Sequence, residues 1–443
     1  MPVSPARAAA FDILLRVERE DSYASELLHS SHYQGLSSAD HGLTTELAMG
    51  VLRWRSLLDK HIAERSSQKL AKLDPEVLTA LRLAAYQLLF LDRVPQRAAV
   101  HESVELVKRA RKRSAVPFAN AVLRKFAGVE SGATGSAIGK AQTAADLATS
   151  SAHPTWLVER WIHEFGFDIA KQVCTYDQKI PETSVHATNA IAGELKNQKV
   201  ELTPGHLLTT AYRVISGDLI ATRQFRDGQV IIQDEASQLV SLLVGGGANI
   251  LDCCAAPGGK TRTLAERNPN AKIVAMELHP HRARMLRKLV AANNVHVIAA
   301  DARNSPLTGV FDRVLADVPC SGTGTLARNP EIKWRLKPED LIDLQTRQLS
   351  ILQSAMQRVS PGGKIVYSTC SLEDEENSVV VERAMSADHL FRILDCRVEL
   401  ERLRSQGELR WQDVESLTSG PYLRTIPGVH PCDGFFAAIL EKI

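Results

Sequence analysis

Two cysteines lie where reactive groups would be expected. Cys370 ends the apolar, β-branched run of KIVYSTCSLEDEEN (364–377), just before a cluster of acids, and Cys320 follows a similar run in ADVPCSGTG (316–324). Both lie in polar, turn-forming sequence, so we predict reactive thiols at these two positions. A lone cysteine is more often a small buried hydrophobe, and that interpretation applies to Cys174, Cys253, Cys396 and Cys432. Cys254 is interpreted as a loop-packing residue.

A carboxylate accompanies Cys320. Asp317 ends the strand-like run that delivers Cys320, and a proline stiffens the turn between them. If the runs before Cys320 and Cys370 are neighbouring parallel strands, both thiols and Asp317 converge at one edge of a sheet. In open α/β sheets this carboxyl edge is where ligands bind.

A glycine turn lies upstream of these residues. In LDCCAAPGGKT (251–261) a strand-like run passes into glycines and then a helix, which lets the backbone approach a ligand closely. Ala255, Ala256 and Pro257 break the spacing of a GxxxxGK[ST] phosphate loop, so that interpretation is excluded.

Two acids end the strand-like runs that follow. Glu277 lies 23 residues beyond Cys254, close to the offset of about 20 at which an acid meets ribose hydroxyls in dinucleotide folds. Asp301 ends the third run and could accept a hydrogen bond from an adenine amino group. Either acid alone is more often a solvated strand end or a helix cap. The glycine turn, Glu277 and Asp301 follow three successive predicted strands, and this arrangement favours an adenosyl ligand.

A thiolate, an acid and an adenosyl cofactor suit methylation of cytosine at carbon 5. Carbon 5 is a poor nucleophile until a thiolate adds to carbon 6, assisted by an acid at nitrogen 3, and converts the ring into an enamine. A base must then remove the carbon-5 proton so that the thiol can leave. Two thiols can divide this work, and the residues alone leave open which one attacks.

The elements that position these residues follow an α/β pattern from about residue 230 onwards. Strand-like runs alternate with helices, which predicts an open, mostly parallel sheet. The predicted strands are 249–253, 272–278, 295–301, 311–318, 364–370 and 434–442.

The first 127 residues differ, because helical periodicity dominates them. Val77, Leu81, Ala84, Ala85 and Leu88 recur at the spacing of one helix face. We predict an all-α domain over 1–127, a linker over 128–151, a small RNA-facing α+β subdomain over 152–235 and a catalytic domain over 236–443.

The composition is that of a globular protein. Of the 443 residues 44% are hydrophobic and 23% are charged, which suits two or three domains. The apolar runs fall short of the roughly 20 residues that cross a bilayer, which predicts no membrane association. Seven cysteines without a CxxC pair favour a reducing compartment over disulfides or a zinc site. We therefore expect a cytoplasmic protein without a metal, and a monomer because no long apolar face is left unexplained.

Positive charge is concentrated in KRARKR (108–113), inside a predicted basic helix over 104–126. Taken alone, such a run is more often a solvated helix face. Clustered basic residues also release counterions from nucleic-acid phosphates. We therefore predict RNA contacts at Lys108, Arg109, Arg111, Lys112 and Arg113.

The quoted segments also resemble a known family. LDCCAAPGGKT, ADVPCSGTGTLARNPEIKW and YSTCSLEDEEN, together with QDEASQ (233–238), are similar to motifs of the Sun-type RNA (cytosine-5)-methyltransferases. Residues 80–95 and 118–126 resemble the NusB-like RNA-binding domain of the bacterial 16S ribosomal RNA enzyme, and 430–442 is also similar. The resemblance implies an all-α NusB-like domain and a Rossmann-like methyltransferase domain that uses S-adenosylmethionine. It implies 16S ribosomal RNA, naked or partly assembled, as the substrate.

The resemblance implies roles for individual residues. Cys370 would be the nucleophile and Cys320 would promote release, with Asp317 facing the cytosine and Lys260 lining the active site. The cofactor would be held by Glu277, Asp301, Asp317 and the loop of Cys254, Ala255, Ala256, Pro257, Gly258, Gly259 and Lys260. In SVHATN (184–189), His186 replaces the arginine that is usual in the family, which leaves one RNA contact open.

Three alternative functions are weighed against this one. A nicotinamide-dependent oxidoreductase shares the sheet, but it needs a GxGxxG-type turn and leaves both cysteines without a role. A non-catalytic RNA-binding scaffold would need only residues 1–127. A DNA cytosine-5 methyltransferase would attack with the cysteine of a PC motif, so the second cysteine, Cys370, favours RNA.

Overall fold

The computed structural model describes residues 3–20, 22–33, 35–126 and 138–443. The chain forms two compact units: Met1–Ile180 with Leu326–Arg335, and Pro181–Thr325 with Leu336–Ile443. The predicted division into four segments remains a prediction, and part of its linker, 128–137, lies outside the described residues. The two units divide the chain differently, because helices between 144 and 177 belong to the first unit.

The first unit is helical, as the periodicity of its sequence predicts. Its longest helices pack around Pro75–Phe90, in which every residue from Thr79 to Leu89 is buried. The predicted apolar face is therefore part of a helix that is covered on nearly all sides. The helices are Pro5–Glu20, Ala24–Leu28, Ser38–Arg53, Arg55–Arg65, Pro75–Phe90, Gln96–Arg109, Val116–Arg124, Ala144–Ser150, Thr155–Phe165, Phe167–Asp177 and Ile332–Arg335.

The prediction of one basic helix over 104–126 is wrong. The helix Gln96–Arg109 ends inside the basic run, and a second helix, Val116–Arg124, begins with a proline in its first turn. Arg111 between them has a left-handed backbone, with φ of 62°. Proline is well suited to the start of a helix but lacks the N–H that a helix interior needs, so the chain turns here.

The short segment Leu326–Arg335 belongs to the helical unit, although it follows the Cys320 loop in sequence. Lys333 is fully buried and donates to the backbone oxygens of Arg53, at 2.8 Å, and Ala152, at 3.0 Å. The indole N–H of Trp334 donates to Leu52 O at 2.6 Å. Side chains of the segment thus satisfy backbone acceptors of the unit.

The second unit contains a small antiparallel sheet with the order β2-β3-β1-β4. Its strands are β1 (Ser184–His186), β2 (Glu201–Pro204), β3 (Ala211–Ser216) and β4 (Ile231–Ile232). The helix Asn189–Asn197 packs on the sheet, and Thr188 caps its start. Val185, Leu195 and Val200 belong to a separate apolar core.

The main sheet of the second unit confirms the predicted α/β pattern. Strands β5 to β9 are parallel and lie in the order β9-β8-β5-β6-β7, and an antiparallel β13 extends the β9 edge. All six predicted strands are present, with ends that shift by a few residues. They are β5 (Asn249–Asp252), β6 (Lys272–Glu277), β7 (Val295–Ala299), β8 (Phe311–Asp317), β9 (Val359–Thr369) and β13 (Phe435–Lys442).

Elements beyond the predicted strands complete the unit. Three short antiparallel strands adjoin the β13 edge: β10 (Phe391–Leu394), β11 (Thr418–Ser419) and β12 (Tyr422–Thr425). The helices of this unit are Asn189–Asn197, Arg223–Arg226, Glu235–Leu243, Gly259–Arg267, Pro280–Val290, Asp340–Met356, Ser378–Ala387 and Cys396–Ser405.

Apolar residues are buried on both faces of the main sheet. Leu315 and Val366 point to one core, whereas their chain neighbours Val314, Ile365 and Tyr367 belong to another. This alternation explains why the central strands read as nearly continuous apolar runs. Among the described residues, none of the helices has the length and apolarity that a bilayer-spanning helix requires.

Candidate active site

The two cysteines predicted to be reactive lie side by side. Their Sγ atoms are 3.2 Å apart, and the backbone N–H of Cys370 points at the Cys320 sulfur at 3.3 Å. Strands β8 and β9 are parallel neighbours in which Asp317 pairs with Ser368, so both chains leave the sheet at the same edge. Both thiols are partly exposed, whereas Cys174, Cys253, Cys396 and Cys432 are buried as predicted.

Asp317 connects the cysteine pair to the glycine turn. One carboxylate oxygen accepts a hydrogen bond from Ser368 Oγ at 2.7 Å, and the other lies 2.8 Å from Lys260 Nζ. The Lys260 ammonium also lies 5.1 Å from the centre of the Phe435 ring. Burial alone would lower the pKa of Lys260, but the charge and hydrogen bond of Asp317 outweigh it and raise that pKa. Lys260 is therefore a cation fixed beside the thiols.

The environment distinguishes Cys320 from an ordinary thiol. A hydrogen bond with Cys370 and burial raise the pKa of Cys320 well above its usual range. Cys320 therefore keeps its proton near neutral pH and can donate a hydrogen bond to a thiolate at Cys370.

A cavity of about 340 Å³ opens beside the glycine turn. Cys254 to Lys260 all line it, together with Asp317 and with Gln233 of the QDEASQ segment. Gly258 has φ of 119°, and a Cβ there would lie 2.7 Å from Leu286 Cδ1, so glycine is needed for both backbone and packing reasons. Leu289, Val230 and Ile232 give the cavity an apolar wall.

Asp252 also lines the cavity and was missed by sequence reasoning. It ends β5, is buried, and its Oδ2 accepts from Thr261 Oγ1 at 2.7 Å. Burial raises the pKa of Asp252 to about 7. Its position at the end of a strand, directly before the glycine turn in LDCC, was the available signal.

The lining fits S-adenosylmethionine, which carries an ammonium and a sulfonium charge together with a flat aromatic base. Asp252 and Asp317 supply two carboxylates within one cavity whose other wall is apolar. Asp252 Oδ1 is buried and lacks a side-chain or backbone partner within hydrogen-bond distance among the described residues, so it can still accept from a ligand.

Glu277 and Asp301 lie at neighbouring strand ends but are absent from the lining of this cavity. Glu277 is buried at the end of β6, where Oε1 accepts from His279 N–H at 2.9 Å. Asp301 caps a short turn and is engaged by the side chain of Arg303, which lowers the pKa of that carboxyl. Cofactor contacts from these two acids remain predictions.

The predicted RNA-binding residues lie at the surface of the helical unit. Three of them form ion pairs within that unit: Lys108 with Glu105, Arg109 with Asp12, and Lys112 with Asp74. Arg111 and Arg113 are exposed and have no carboxylate partner within 4.0 Å among the described residues. RNA binding by this run remains a prediction.

His186 is held inside the second unit. Its side chain is 13% exposed, and its Nε2 lies 3.3 Å from Glu266. The other ring nitrogen lies 3.3 Å from Gln238 Oε1. Both ring nitrogens therefore have protein partners, which limits what His186 can offer to RNA.

Sequence comparison places two regions of the chain in known families. Residues 241–441 match the family described as 16S rRNA methyltransferase RsmB/F, and residues 4–128 match the NusB family. The chain is 32% identical to the probable ribosomal RNA small subunit methyltransferase B of Bacillus subtilis, with 100% of both chains covered. It is 31% identical to ribosomal RNA small subunit methyltransferase B of Vibrio cholerae, covering 98% of this chain and 97% of the relative.

Structure comparison supports the same fold. The crystal structure of PH0851 superposes with a TM-score of 0.81 at 24% identity and covers 100% of both chains. NSun6 from Pyrococcus horikoshii with SFG gives a TM-score of 0.56 at 17% identity, over 66% of this chain and 99% of that one. The chain therefore belongs to the RsmB/F methyltransferase family, with a NusB-family domain at its front and S-adenosylmethionine as its cofactor.

Proposed function

We propose that this protein methylates carbon 5 of a cytosine in 16S ribosomal RNA, through a covalent bond between Cys370 and carbon 6 of the base. The observation that carries the proposal is the 3.2 Å separation of the Cys370 and Cys320 sulfurs beside the Asp317 carboxylate. Neither simple methyl transfer to an exposed heteroatom nor hydride transfer requires two adjacent thiols.

In the proposed reaction the Cys370 thiolate forms a bond to carbon 6, and nitrogen 3 gains a proton or a hydrogen bond. The electron pair displaced from the C5–C6 double bond makes carbon 5 nucleophilic. S-adenosylmethionine supplies an electrophilic methyl group when it is bound. Carbon 5 then passes its proton to a solvent water molecule, nitrogen 3 gives up the proton or hydrogen bond that it gained, the C5–C6 double bond re-forms and the Cys370 sulfur leaves as thiolate. Cys320, held protonated next to it, assists this release by donating to the departing sulfur.

Asp317 and Lys260 have complementary roles in this proposal. Asp317 ends β8 beside both thiols and faces the cytosine, where it orients the ring edge that includes nitrogen 3. Lys260 keeps that carboxylate paired, because a lone carboxylate here would repel a nearby thiolate.

The substrate is inferred from relatives and from surface charge. The Vibrio cholerae relative is named a ribosomal RNA small subunit methyltransferase, and the basic run 108–113 offers exposed phosphate-binding groups. We propose naked or partly assembled 16S RNA as the substrate, a monomeric enzyme and a cytoplasmic site of action. The target cytosine must be accessible outside a base-paired stack.

Covalent trapping tests the proposal. Purified protein is incubated with 16S RNA and cofactor and is then run on a denaturing gel. We expect Cys320→Ser to accumulate a protein–RNA band, because release is slowed, and Cys370→Ala to give neither band nor methylated RNA. The double variant should give no band, since the nucleophile is missing.

The opposite assignment would contradict the proposal. If Cys370→Ala trapped RNA and Cys320→Ser were inert, the attacking thiol would be Cys320, as in DNA enzymes. Bisulfite sequencing of 16S RNA from cells with and without the gene identifies the modified base, and methylation at a ring nitrogen or ribose would also contradict it.

A further inference from the structure

A buried carboxylate lies behind the two thiols and takes no part in the proposed bond changes. Glu376 is 0% exposed and belongs to the acidic cluster that follows Cys370 in sequence. Burying a carboxylate is costly unless its oxygens accept hydrogen bonds. The groups that donate hydrogen bonds to this carboxylate compensate the cost, and their positions show which parts of the chain Glu376 connects.

Its donors come from the residues directly after each cysteine. Ser321 donates its backbone N–H to Glu376 Oε1 at 2.8 Å and its hydroxyl to Oε2. Ser371 donates its hydroxyl to the same Oε2 at 2.5 Å. The two serine hydroxyls lie 3.0 Å apart. One carboxylate therefore ties the Cys320 loop to the Cys370 loop.

A second side chain extends this connection to the other side of Cys320. Gln348 Nε2 donates to Glu376 Oε1 at 2.8 Å and to the backbone oxygen of Pro319 at 3.0 Å. Pro319 and Ser321 flank Cys320, so the loop is held at the residues before and after the sulfur.

Glu376 is itself attached to the sheet. The Tyr367 hydroxyl donates to Glu376 O at 2.6 Å, and Tyr367 lies inside β9 with 0% exposure. This hydrogen bond fixes the position of Glu376 relative to a strand of the sheet rather than to a loop.

We propose that Glu376 is a positioning residue that sets the distance between the Cys320 and Cys370 sulfurs by joining Ser321 to Ser371. Its catalytic consequence rests on the proposed function, whereas its geometric consequence does not. The hydrogen bond with Cys370, burial and the charge of Cys370 are the larger causes of the raised pKa of Cys320, and the Glu376 charge adds to them.

The geometric test measures how readily the two thiols pair. Diamide accepts two electrons and two protons from two thiols, becoming the hydrazine while a disulfide bond forms. Wild-type protein should form the Cys320–Cys370 disulfide quickly, as mapped by peptide mass spectrometry. Glu376→Ala should form it at least about tenfold more slowly, and Glu376→Gln should stay close to wild type because its amide can still bridge both serines.

Asp374→Ala is the matched control. Asp374 lies in the same turn, but its carboxylate accepts from Ser378 rather than from either serine that follows a cysteine. We expect wild-type pairing in this variant. If Glu376→Ala does not fold, Ser371→Ala provides a second test because it is a smaller change. This variant should also slow formation of the Cys320–Cys370 disulfide.

The catalytic test separates positioning from binding. Glu376→Ala should lower kcat by about 100-fold, the scale of a misplacement near 1 Å, with KM for RNA and affinity for the cofactor little changed. The Glu376→Gln variant should recover most of the rate. If wild-type methylation were absent while Glu376→Ala still slowed pairing, the proposed function would fail and this inference would stand.

Equal pairing rates in wild type, Glu376→Ala and Ser371→Ala would overturn the inference. So would slow pairing in the wild-type protein, because the thiols would then not be held together. A Glu376→Gln variant as impaired as Glu376→Ala would show that charge, rather than the bridge, is what matters.

Discussion

Lys260 and Asp317 form an ion pair of 2.8 Å that joins the helix after the glycine turn to the end of β8. Both residues line the cavity assigned to the cofactor, and Asp317 ends the strand that leads to Cys320. Removing either partner leaves the other charge only partly solvated, since their side chains are 14% and 24% exposed.

The first prediction concerns this pair. Lys260→Met should lower kcat by about 100-fold or more, because Asp317 then presents an unpaired negative charge near the Cys370 thiolate. Stopped-flow or single-turnover assays with 16S RNA measure the loss. Lys272→Met is the control, since Lys272 is exposed at the start of β6. A Lys260→Met enzyme with wild-type turnover would contradict the role given to the ammonium.

The second prediction concerns Gly258. Gly258→Ala requires a left-handed backbone and places a Cβ 2.7 Å from Leu286 Cδ1 and 2.9 Å from Val290 Cγ2. We expect a loss of about 1–3 kcal/mol in stability and a weaker affinity for S-adenosylmethionine, measured by thermal unfolding and calorimetric titration.

Gly193→Ala is the matched control for this substitution. Gly193 lies in the helix Asn189–Asn197, where an added Cβ would have no atom of the described residues within 4 Å apart from its own helix backbone and chain neighbours. Alanine should be neutral or slightly stabilising there. Unchanged cofactor affinity in Gly258→Ala would mean that the turn tolerates the strain.

The third prediction concerns the basic run. Arg111 and Arg113 have no carboxylate partner among the described residues, so replacing both with alanine should weaken RNA binding most. The slope of log K against log salt should become shallower by about 1.5, from two lost phosphate contacts. Filter binding across several salt concentrations measures it.

The control removes the same charge elsewhere. Arg392→Ala with Arg397→Ala deletes two exposed arginines that pair with Glu441 and Glu415 in the second unit. If both double variants changed the slope of log K against log salt equally, the run 108–113 would not be a specific RNA-binding site.

The fourth prediction concerns pH and Lys333. The pKa of Lys333 is lowered to about 7, mainly by burial. The charge of Asp177 opposes this shift in part, whereas the charge of the nearby Arg53 adds to it. His153, buried beside Asp177, also has a lowered pKa, first because of burial. Both groups are therefore more readily protonated in the unfolded chain.

The sign of the pH effect follows from proton uptake. Between about pH 7 and the ordinary lysine pKa, the unfolded chain binds one more proton at Lys333, so stability rises with pH by up to about 1.4 kcal/mol per unit. Urea unfolding at pH 7, 8 and 9, followed by tryptophan fluorescence, should show this rise. Lys333→Met should flatten it, whereas Lys69→Met on the surface should not. An unchanged slope in Lys333→Met would contradict the lowered pKa.

Much of the main sheet could be predicted from sequence because its strands are buried on both faces. Such strands appear as short apolar runs, and β5 to β9 and β13 were identified in this way. Their carboxyl ends also identified Asp317, Cys320 and Cys370 as neighbours. The short strands β10 to β12 carry no comparable run, since only Phe391 of β10 and Leu423 and Thr425 of β12 are buried.

The residues that sequence reasoning missed act through tertiary contacts. Glu376 is one of four consecutive acids in SLEDEEN, and nothing local distinguishes the one that turns inward to meet Ser321. Asp252 reads as part of a strand. The membership of Leu326–Arg335 in the helical unit likewise depends on partners that are far away in sequence, such as Arg53 and Ala152.

That membership has a practical consequence. The chain passes from one unit to the other after Ile180, returns at Leu326 and leaves again after Arg335. No single truncation can therefore yield either unit intact. A fragment starting at Pro181 would contain Lys333 and Trp334 but would lack the backbone oxygens to which they donate hydrogen bonds. Dissecting this enzyme into modules therefore requires co-expressed or spliced pieces rather than a simple deletion.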